Sequence, residues 1–318
     1  MTDQLQQRLR RHVEFLAQAP RNGRTSPQHL ADSLDYCTDV LEQSGWTVQR
    51  QIVERRFVLG IGDHARLLWP FGWYSRLTGT NLIATTRGTD GPALVVVAHI
   101  DTVGGSPGAD DNASGVAAAL ETARIISETG TSRRIIIGLV DLEETGHQGS
   151  KHLAHQLHRD STEISAAICL ESLGFFNETP GSQKLPKIFT DIQVDDLPAG
   201  PSAANFIAVL HRGTSAELAA RWSQLAGAVG LPTVRFEDRR RDGWRSQVSI
   251  AFKPALANLD RSDHASFQAL GIPAICICDT PPLRSPHYHQ ATDLPDTIDY
   301  RRLAAATIAT AQLATASS

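Results

Sequence analysis

The chain has 318 residues, 41% hydrophobic and 20% charged, with a formal net charge of −4. That length suits one large α/β domain or two modest ones, and the apolar fraction excludes a disordered chain. The slightly acidic balance offers no general basic surface for nucleic acid or anionic membranes, and no run reaches the roughly 18 consecutive apolar residues that span a bilayer.

The start, MTDQLQQRLRRHVEFLAQAP, is amphipathic and lacks the continuous apolar core of a secretory signal, so a cytoplasmic protein is expected. A first helix is predicted over Gln4 to Ala17. A second is marked by Ser26 as N-cap, Pro27 at the first helical position, apolar Leu30, Leu34 and Val40, and Gly45 beyond its end. Trp46 to Val53 alternates like a strand. Pro70 to Gly79 (PFGWYSRLTG) reads as a loop with aromatics packed beneath it, and Asn81 to Thr86 as a short strand.

Ala93 to Ala98 is an unbroken valine-rich run, the pattern of a strand buried on both faces of a mostly parallel sheet. His99 and Asp101 follow at its carboxyl end, the edge where open α/β sheets place ligand chemistry. The GGSPG loop lacks the lysine of a phosphate-binding loop. It leads instead to Asp110, Asp111 and Asn112, and then to a close-packed helix over Ala113 to Glu121.

The strand pattern returns three times. Arg133 to Val140 is followed by Asp141, Glu143 and Glu144; Ala166 to Leu170 by Glu171; and Pro273 to Ile277 by Asp279 and the turn-rich PPLRSPHYHQATDLPD, which carries His287 and His289. Strands alternating with helices predict a doubly wound, mostly parallel central sheet with helices on both faces and these strand ends on one edge.

Asn177 to Pro201 reads as surface loops beside that edge, Phe206 to Leu210 as a strand, and Ser215 to Ala228 as a helix ended by Gly230. Residues 231–262, with the run EDRRRDGWR, read as an excursion whose arginines are solvated. Arg301 to Ala314 closes the chain as a helix. The expected organisation is a single domain over 1–318, with N-terminal helices at 1–45 and excursions at 177–201 and 231–262 near that edge. Cys37, Cys169, Cys276 and Cys278 lack zinc-ribbon spacing and read as buried apolar residues in a reducing compartment, Cys276 and Cys278 sharing one strand face.

Histidine and carboxylate ligands without thiolates suit zinc, manganese or cobalt at a catalytic site. A bridging carboxylate can hold two ions roughly 3.5–4 Å apart, and three carboxylates with one hydroxide balance two divalent cations. Simpler accounts stand beside this one. Asp110 and Asp111 suit caps of the following helix, and spacing alone does not choose between them as ligands. Glu143 and Glu144 suit a solvated turn, His147, His152 and His155 an exposed helical face, and His287 a loop.

Six segments, AHIDTV, PGADDNASG, LEETGHQGS, CLESLG, SDHASF with GIPA, and PHYHQATDLPDTIDY, resemble in order the signature blocks of the zinc aminopeptidase family of metallopeptidase clan MH. Relatives of that family include glutaminyl cyclases and the non-catalytic transferrin receptor. The resemblance covers roughly residues 80 to 305. It implies a zinc-exopeptidase fold (phosphorylase/hydrolase-like), two zinc ions with cobalt or manganese as substitutes, and hydrolysis of the first peptide bond of a substrate with a free amino terminus. It makes His99 and Glu171 ligands of one zinc, Glu144 and His289 ligands of the other, and Asp111, counted back from SG in DDNASG, the bridge. Glu143 becomes the general base on a zinc-bridging water. Asp101 accepts a hydrogen bond that orients His99, and Tyr288 donates to the oxyanion.

Asp263 has two readings: Ser262 or Asp263 caps the helix through Phe267, or Asp263 stands behind Glu143. The same fold and ligands also serve a glutaminyl cyclase-like acyltransferase, which transfers to an internal amine. A receptor-like binding protein would have lost ligands, and none is missing. A two-metal phosphohydrolase is more distant, and the family blocks argue against it.

Overall fold

The computed structural model describes residues 2–61, 71–86, 90–184, 194–195, 202–246 and 254–316. Helices α1 (Thr2–Leu16) and α2 (Pro27–Gln43) precede a hairpin of β1 (Thr47–Ile61) and β2 (Phe71–Thr85). Then come β3 (Ala93–His99), α3 (Gly115–Thr129), β4 (Ile135–Val140), α4 (Gln148–Arg159), β5 (Ile164–Glu171) and the two-residue β6 (Val194–Asp195). The chain continues through β7 (Ile207–Arg212), α5 (Ala216–Ala228), β8 (Thr233–Asp238), α6 (His264–Gln268), β9 (Ala274–Cys278), α7 (Pro281–Arg284) and α8 (Tyr300–Thr315).

Among the described residues the strands form one sheet in the order β1-β2-β4-β3-β5-β9-β7-β8-β6. Its centre, β4-β3-β5-β9, is parallel throughout, so the carboxyl ends of four strands lie side by side. Antiparallel pairing enters on either side, at β2–β4 and β7–β9.

The uniform apolar run of β3 has a simple cause. Successive side chains leave a strand on opposite faces, and both faces here are covered by helices. Leu94, Val96 and Ala98 pack into a core with α1, α2, α3, α5 and α8, whereas Ala93, Val95 and Val97 pack into a second core with α4 and α6. Cys169, Cys276 and Cys278 face the second core, Cys37 the first, and all four are buried free thiols. No described helix is long and apolar enough to cross a membrane.

Two segments differ from expectation. Residues 71–79 are not a loop but the first half of β2, paired antiparallel with β1 from Thr47↔Thr85 to Ile61↔Phe71; Pro70 lies outside the described residues. Glycines and aromatics suggested a loop, yet aromatic residues suit strands. β2 meets β4 only through Leu82–Thr85, so the rest of the hairpin is a two-stranded ribbon. Tyr74 is buried while Trp73 and Phe57 are exposed.

The excursion at 231–262 likewise contains β8, parallel to β7, with Val234, Phe236 and Asp238 inward; 247–253 lie outside the described residues. Its Arg240 is not solvated. It donates to Asp238 and Asp260, which also accept from buried Arg212. In the 177–201 segment, Asn177 pairs with Ala204 and Glu178–Gly181 are exposed, while 185–193 and 196–201 lie outside the described residues.

Candidate metal centre

Each central strand delivers its polar residues at the same edge. β3 ends in His99 and leads to Asp101; β4 leads to Asp141, Glu143 and Glu144; β5 ends in Glu171; and the segment after β9 carries Tyr288 and His289. Between β3 and α3 the chain makes a π-helical turn, Ala109–Ser114, entered through Gly108 at φ 64°. Inside it Asp111 and Asn112 leave helical geometry, and the peptide joining them is cis.

The turn is pinned from three directions. Asn112 Nδ2 donates to the Leu170 carbonyl (2.9 Å), and its Oδ1 accepts the Gly115 and Ser172 amides (3.1 and 3.0 Å). Asp293 accepts the Asp110 amide on one carboxylate oxygen (2.8 Å) and the Asp111 amide on the other (3.1 Å). Asp110 turns away and accepts the Gly174 amide (2.8 Å). Only Asp111 is aimed at the histidines.

Asp111 Oδ1 lies 3.2 Å from His99 Nε2, and Asp111 Oδ2 lies 3.1 Å from His289 Nε2. Each histidine has one further carboxylate: Glu171 Oε2 is 3.3 Å from His99 Nε2, and Glu144 Oε2 is 3.3 Å from His289 Nε2. The five residues thus form two triads, His99–Asp111–Glu171 and Asp111–Glu144–His289, that share one carboxylate.

The cluster is short of positive charge. Burial alone would lower both imidazoles, but Glu171 and Glu143 raise His99 well above its ordinary value, and Glu144 with Asp111 raises His289 to about 11. Burial also pushes Glu143 and Glu144 up, against the pull of the histidines. Asp111 moves the other way despite its burial, because His289 and His99 hold it far below the carboxylate range. Glu144 Oε1 is buried without a hydrogen-bond partner. Imidazole nitrogens and carboxylate oxygens in two such triads fit divalent cations of the zinc type, which would supply the missing charge.

The neighbours of the cluster show how it is braced. The Asp101 carboxylate is 3.6 Å from His99 Nδ1, too far for a hydrogen bond; that nitrogen donates instead to the Asp101 backbone carbonyl (3.0 Å). The Asp101 carboxylate accepts the amides of Glu143 (3.1 Å) and Glu144 (3.2 Å) and so holds the turn after β4. A carboxylate facing two free amides at a strand end is better satisfied there than by one ring N–H. Tyr288 stacks on His289 with centroids 3.8 Å apart, and its hydroxyl accepts from Arg261 (3.4 Å).

Asp263 precedes α6 but makes no side-chain cap, and Ser262 Oγ donates to Glu171 Oε2 (2.7 Å). Asp263 is fully buried, and burial raises its carboxyl to about 6 with His147, Ser150 and Glu171 around it. His155 is exposed as expected, His152 is half-buried, and His287 sits in its loop beside Thr292. His147 departs from the exposed-face reading: its Nε2 is 3.1 Å from Glu143 Oε1.

Arg21 and Asp293 were not singled out by their sequence positions, and His147 reads there only as part of an exposed helical face. Arg21, wholly buried, donates to the carbonyls of Ile100, Leu16, Pro107 and Gly108 (2.7–2.9 Å) and shapes the loop that presents Asp111. Nothing in PRNGR signals this. Asp293 and His147 did lie within quoted blocks, and those blocks were the available signal. A cavity of about 80 Å³ opens beside Glu171, walled by Leu210, Leu259, Cys276, Cys278, Pro281 and Tyr288.

A helix-covered sheet with histidines and carboxylates gathered at its carboxyl edge is the architecture of the zinc exopeptidases. The model for peptidase family M28 matches residues 81–227 and 241–314, and the chain belongs to that family. It is 29% identical to YfbL of Escherichia coli over 238 residues, 70% of this chain and 67% of that one. A probable zinc metalloprotease of Leptosphaeria maculans is 28% identical over 66% of this chain, which spans only 48% of that protein.

Among solved structures, the LapA aminopeptidase of Legionella pneumophila superposes with a TM-score of 0.67 at 20% identity, covering 100% of this chain and 72% of its own. Porphyromonas gingivalis glutaminyl cyclase gives 0.66 at 19% identity, covering 98% and 97%. At such identities these two report the fold alone.

Proposed function

We propose that the chain is a two-zinc aminopeptidase, one catalytic domain that removes the first residue of peptides with a free amino terminus. The observation that carries this reading is Asp111, whose two oxygens each face a different histidine within 3.2 Å. His99 and Glu171 would hold one ion, Glu144 and His289 the other, with Asp111 between them. When bound, the ions lower the pKa of water toward about 7 and polarise the scissile carbonyl.

The remaining steps belong to side chains of this chain. Glu143, backed by His147 at 3.1 Å, takes the proton of the attacking water and returns it to the leaving amine. Asp101 fixes the direction in which Glu143 and Glu144 leave their turn. Tyr288, steadied by Arg261, stands on the His289 side as a donor to the carbonyl oxygen. The cavity beside Glu171 receives the side chain of the first residue and excludes water from it.

A glutaminyl cyclase-like acyl transfer, compatible with the same fold and ligand set, is the second reading. The complete ligand set with Glu143 beside it favours hydrolysis. Metal analysis with a panel of aminoacyl anilides and glutaminyl peptides separates the two. We expect about two zinc ions per chain, the content a two-metal site requires, and release of anilide that stops on chelation. Cyclised glutaminyl product without anilide release would establish the second reading, and failure to take up metal would remove both.

A further inference from the structure

We propose that Cys169, His264 and Cys276 form a separate metal site, which takes one soft d10 cation such as zinc, cadmium or copper(I) at the base of the cavity beside Glu171. Cys169 and Cys276 are register partners on the parallel strands β5 and β9, and both face the second core. α6 brings His264 over them, and one ligand atom of each residue lies within 4.8 Å of the others. Tetrahedral coordination by thiolates and imidazole needs such atoms roughly 3.8 Å apart, so side-chain rotation of under about an ångström closes the set.

A second observation points to a missing partner. His264 donates Nε2–H to the Leu259 carbonyl (2.9 Å), which leaves a lone pair on Nδ1; that atom is buried with no hydrogen-bond partner, in a residue only 2% exposed. A neutral imidazole anchored through one nitrogen and unoccupied at the other is poised as a ligand. Cys276 and His264 line the cavity, which provides the way in. Two thiols suit a soft cation, in contrast to the oxygen-rich cluster around Asp111. Binding exchanges the two thiol protons, released to solvent, for sulfur–metal bonds, and two thiolates neutralise a divalent ion.

The site communicates with the Asp111 cluster through one hydroxyl, since Ser262 Oγ is 3.1 Å from Cys169 Sγ and 2.7 Å from Glu171 Oε2. A cation held there also narrows the cavity. It therefore inhibits peptide hydrolysis, a consequence that rests on the function proposed above, whereas binding itself does not.

The test is titration of the protein as purified with cadmium chloride, followed by ultraviolet cadmium–thiolate absorption, which oxygen and imidazole ligands do not produce. A saturable band is expected in the wild type and in the Cys37→Ala control. It should vanish in Cys169→Ser and Cys276→Ser, compared at equal far-ultraviolet circular dichroism. His264→Gln should weaken binding on the order of tenfold or more, exceeding the loss of a ligand's own hydrogen-bond partner. If a serine variant unfolds, X-ray absorption of the cadmium-loaded wild type replaces it, and sulfur neighbours around the metal are then expected. No band in the wild type, an equal band in both serine variants, or a cadmium shell of oxygen and nitrogen alone would overturn the site.

Discussion

Replacing Arg21 by methionine tests whether one buried guanidinium builds the loop that carries Asp111. Arg21 is 0% exposed and sends Nε to Ile100 O (2.7 Å), Nη1 to Leu16 O (2.7 Å) and Pro107 O (2.8 Å), and Nη2 to Gly108 O (2.9 Å). Burial depresses its pKa to about 10, with Asp293 and Asp111 opposing that shift, so the residue remains charged at neutral pH. Methionine fills the stem but donates nothing; the Leu16 and Gly108 carbonyls keep His29 Nε2 (2.9 Å) and the Ala113 amide (3.0 Å) as donors, whereas those of Ile100 and Pro107 are stranded. At about 1–2 kcal/mol for each of the two stranded groups, the loss is roughly 2–4 kcal/mol. That is a large share of the ~5–15 kcal/mol by which a typical domain is stable.

Urea unfolding of the metal-free protein measures it, read as a lower midpoint at unchanged slope. Arg21→Lys, with a single donor centre, should recover only part. A loss below about 1 kcal/mol would show that the carbonyls find other donors and that Arg21 does not shape the loop.

Three further outcomes are expected. Glu143→Gln should keep its metal yet lose turnover by about 10²–10⁴-fold, the usual contribution of a general base, checked by anilide hydrolysis alongside metal analysis; full activity would assign the base elsewhere. Gly108→Ala should lower both melting temperature and metal content. The position needs φ 64°, and an added methyl would come within 2.3 Å of the Asp111 carbonyl oxygen. Normal metal content in that variant would mean the turn absorbs the methyl.

The third concerns pH. Burial raises Asp141 and Asp293 to about 7 and Asp263 to about 6. Unfolded, these groups titrate near 4, so the metal-free folded protein binds more protons, and their contribution is full below about pH 4 and lost as pH rises through about 7. His289, raised to about 11, carries the same slope into the alkaline range, while depressed Asp111 opposes it only in acid. Calorimetry of the metal-free protein should therefore show stability falling from about pH 5 to about pH 8, with zinc reversing the fall. A rise without metal would contradict the shifts.

Much of this was legible in the sequence because the central strands obey a rule that needs no coordinates. Runs such as Ala93 to Ala98 and Ala166 to Leu170 are apolar at every position since both faces are covered, and the first polar residue after each run marks the functional edge. Choosing Asp111 over Asp110 needed the family pattern; the structure separates them by what each oxygen meets. The hairpin was harder, because a ribbon lacking a covered face on much of its length shows weak alternation. Arg21 and Asp293 were hidden for another reason. Apart from the Leu16 carbonyl, five positions from Arg21, their partners are backbone carbonyls and amides 79 to 183 positions away, and main-chain groups leave no mark on residue choice at the far end.

If the centre takes two ions as proposed, the shared oxygen pair of Asp111 makes their entry one linked process. Each histidine has one carboxylate of its own and shares the other, so a first ion would draw the common carboxylate toward itself and change what its successor meets. The two equilibria would then be mutually dependent, and calorimetric titration should resolve them as distinct phases rather than one sigmoid of identical sites.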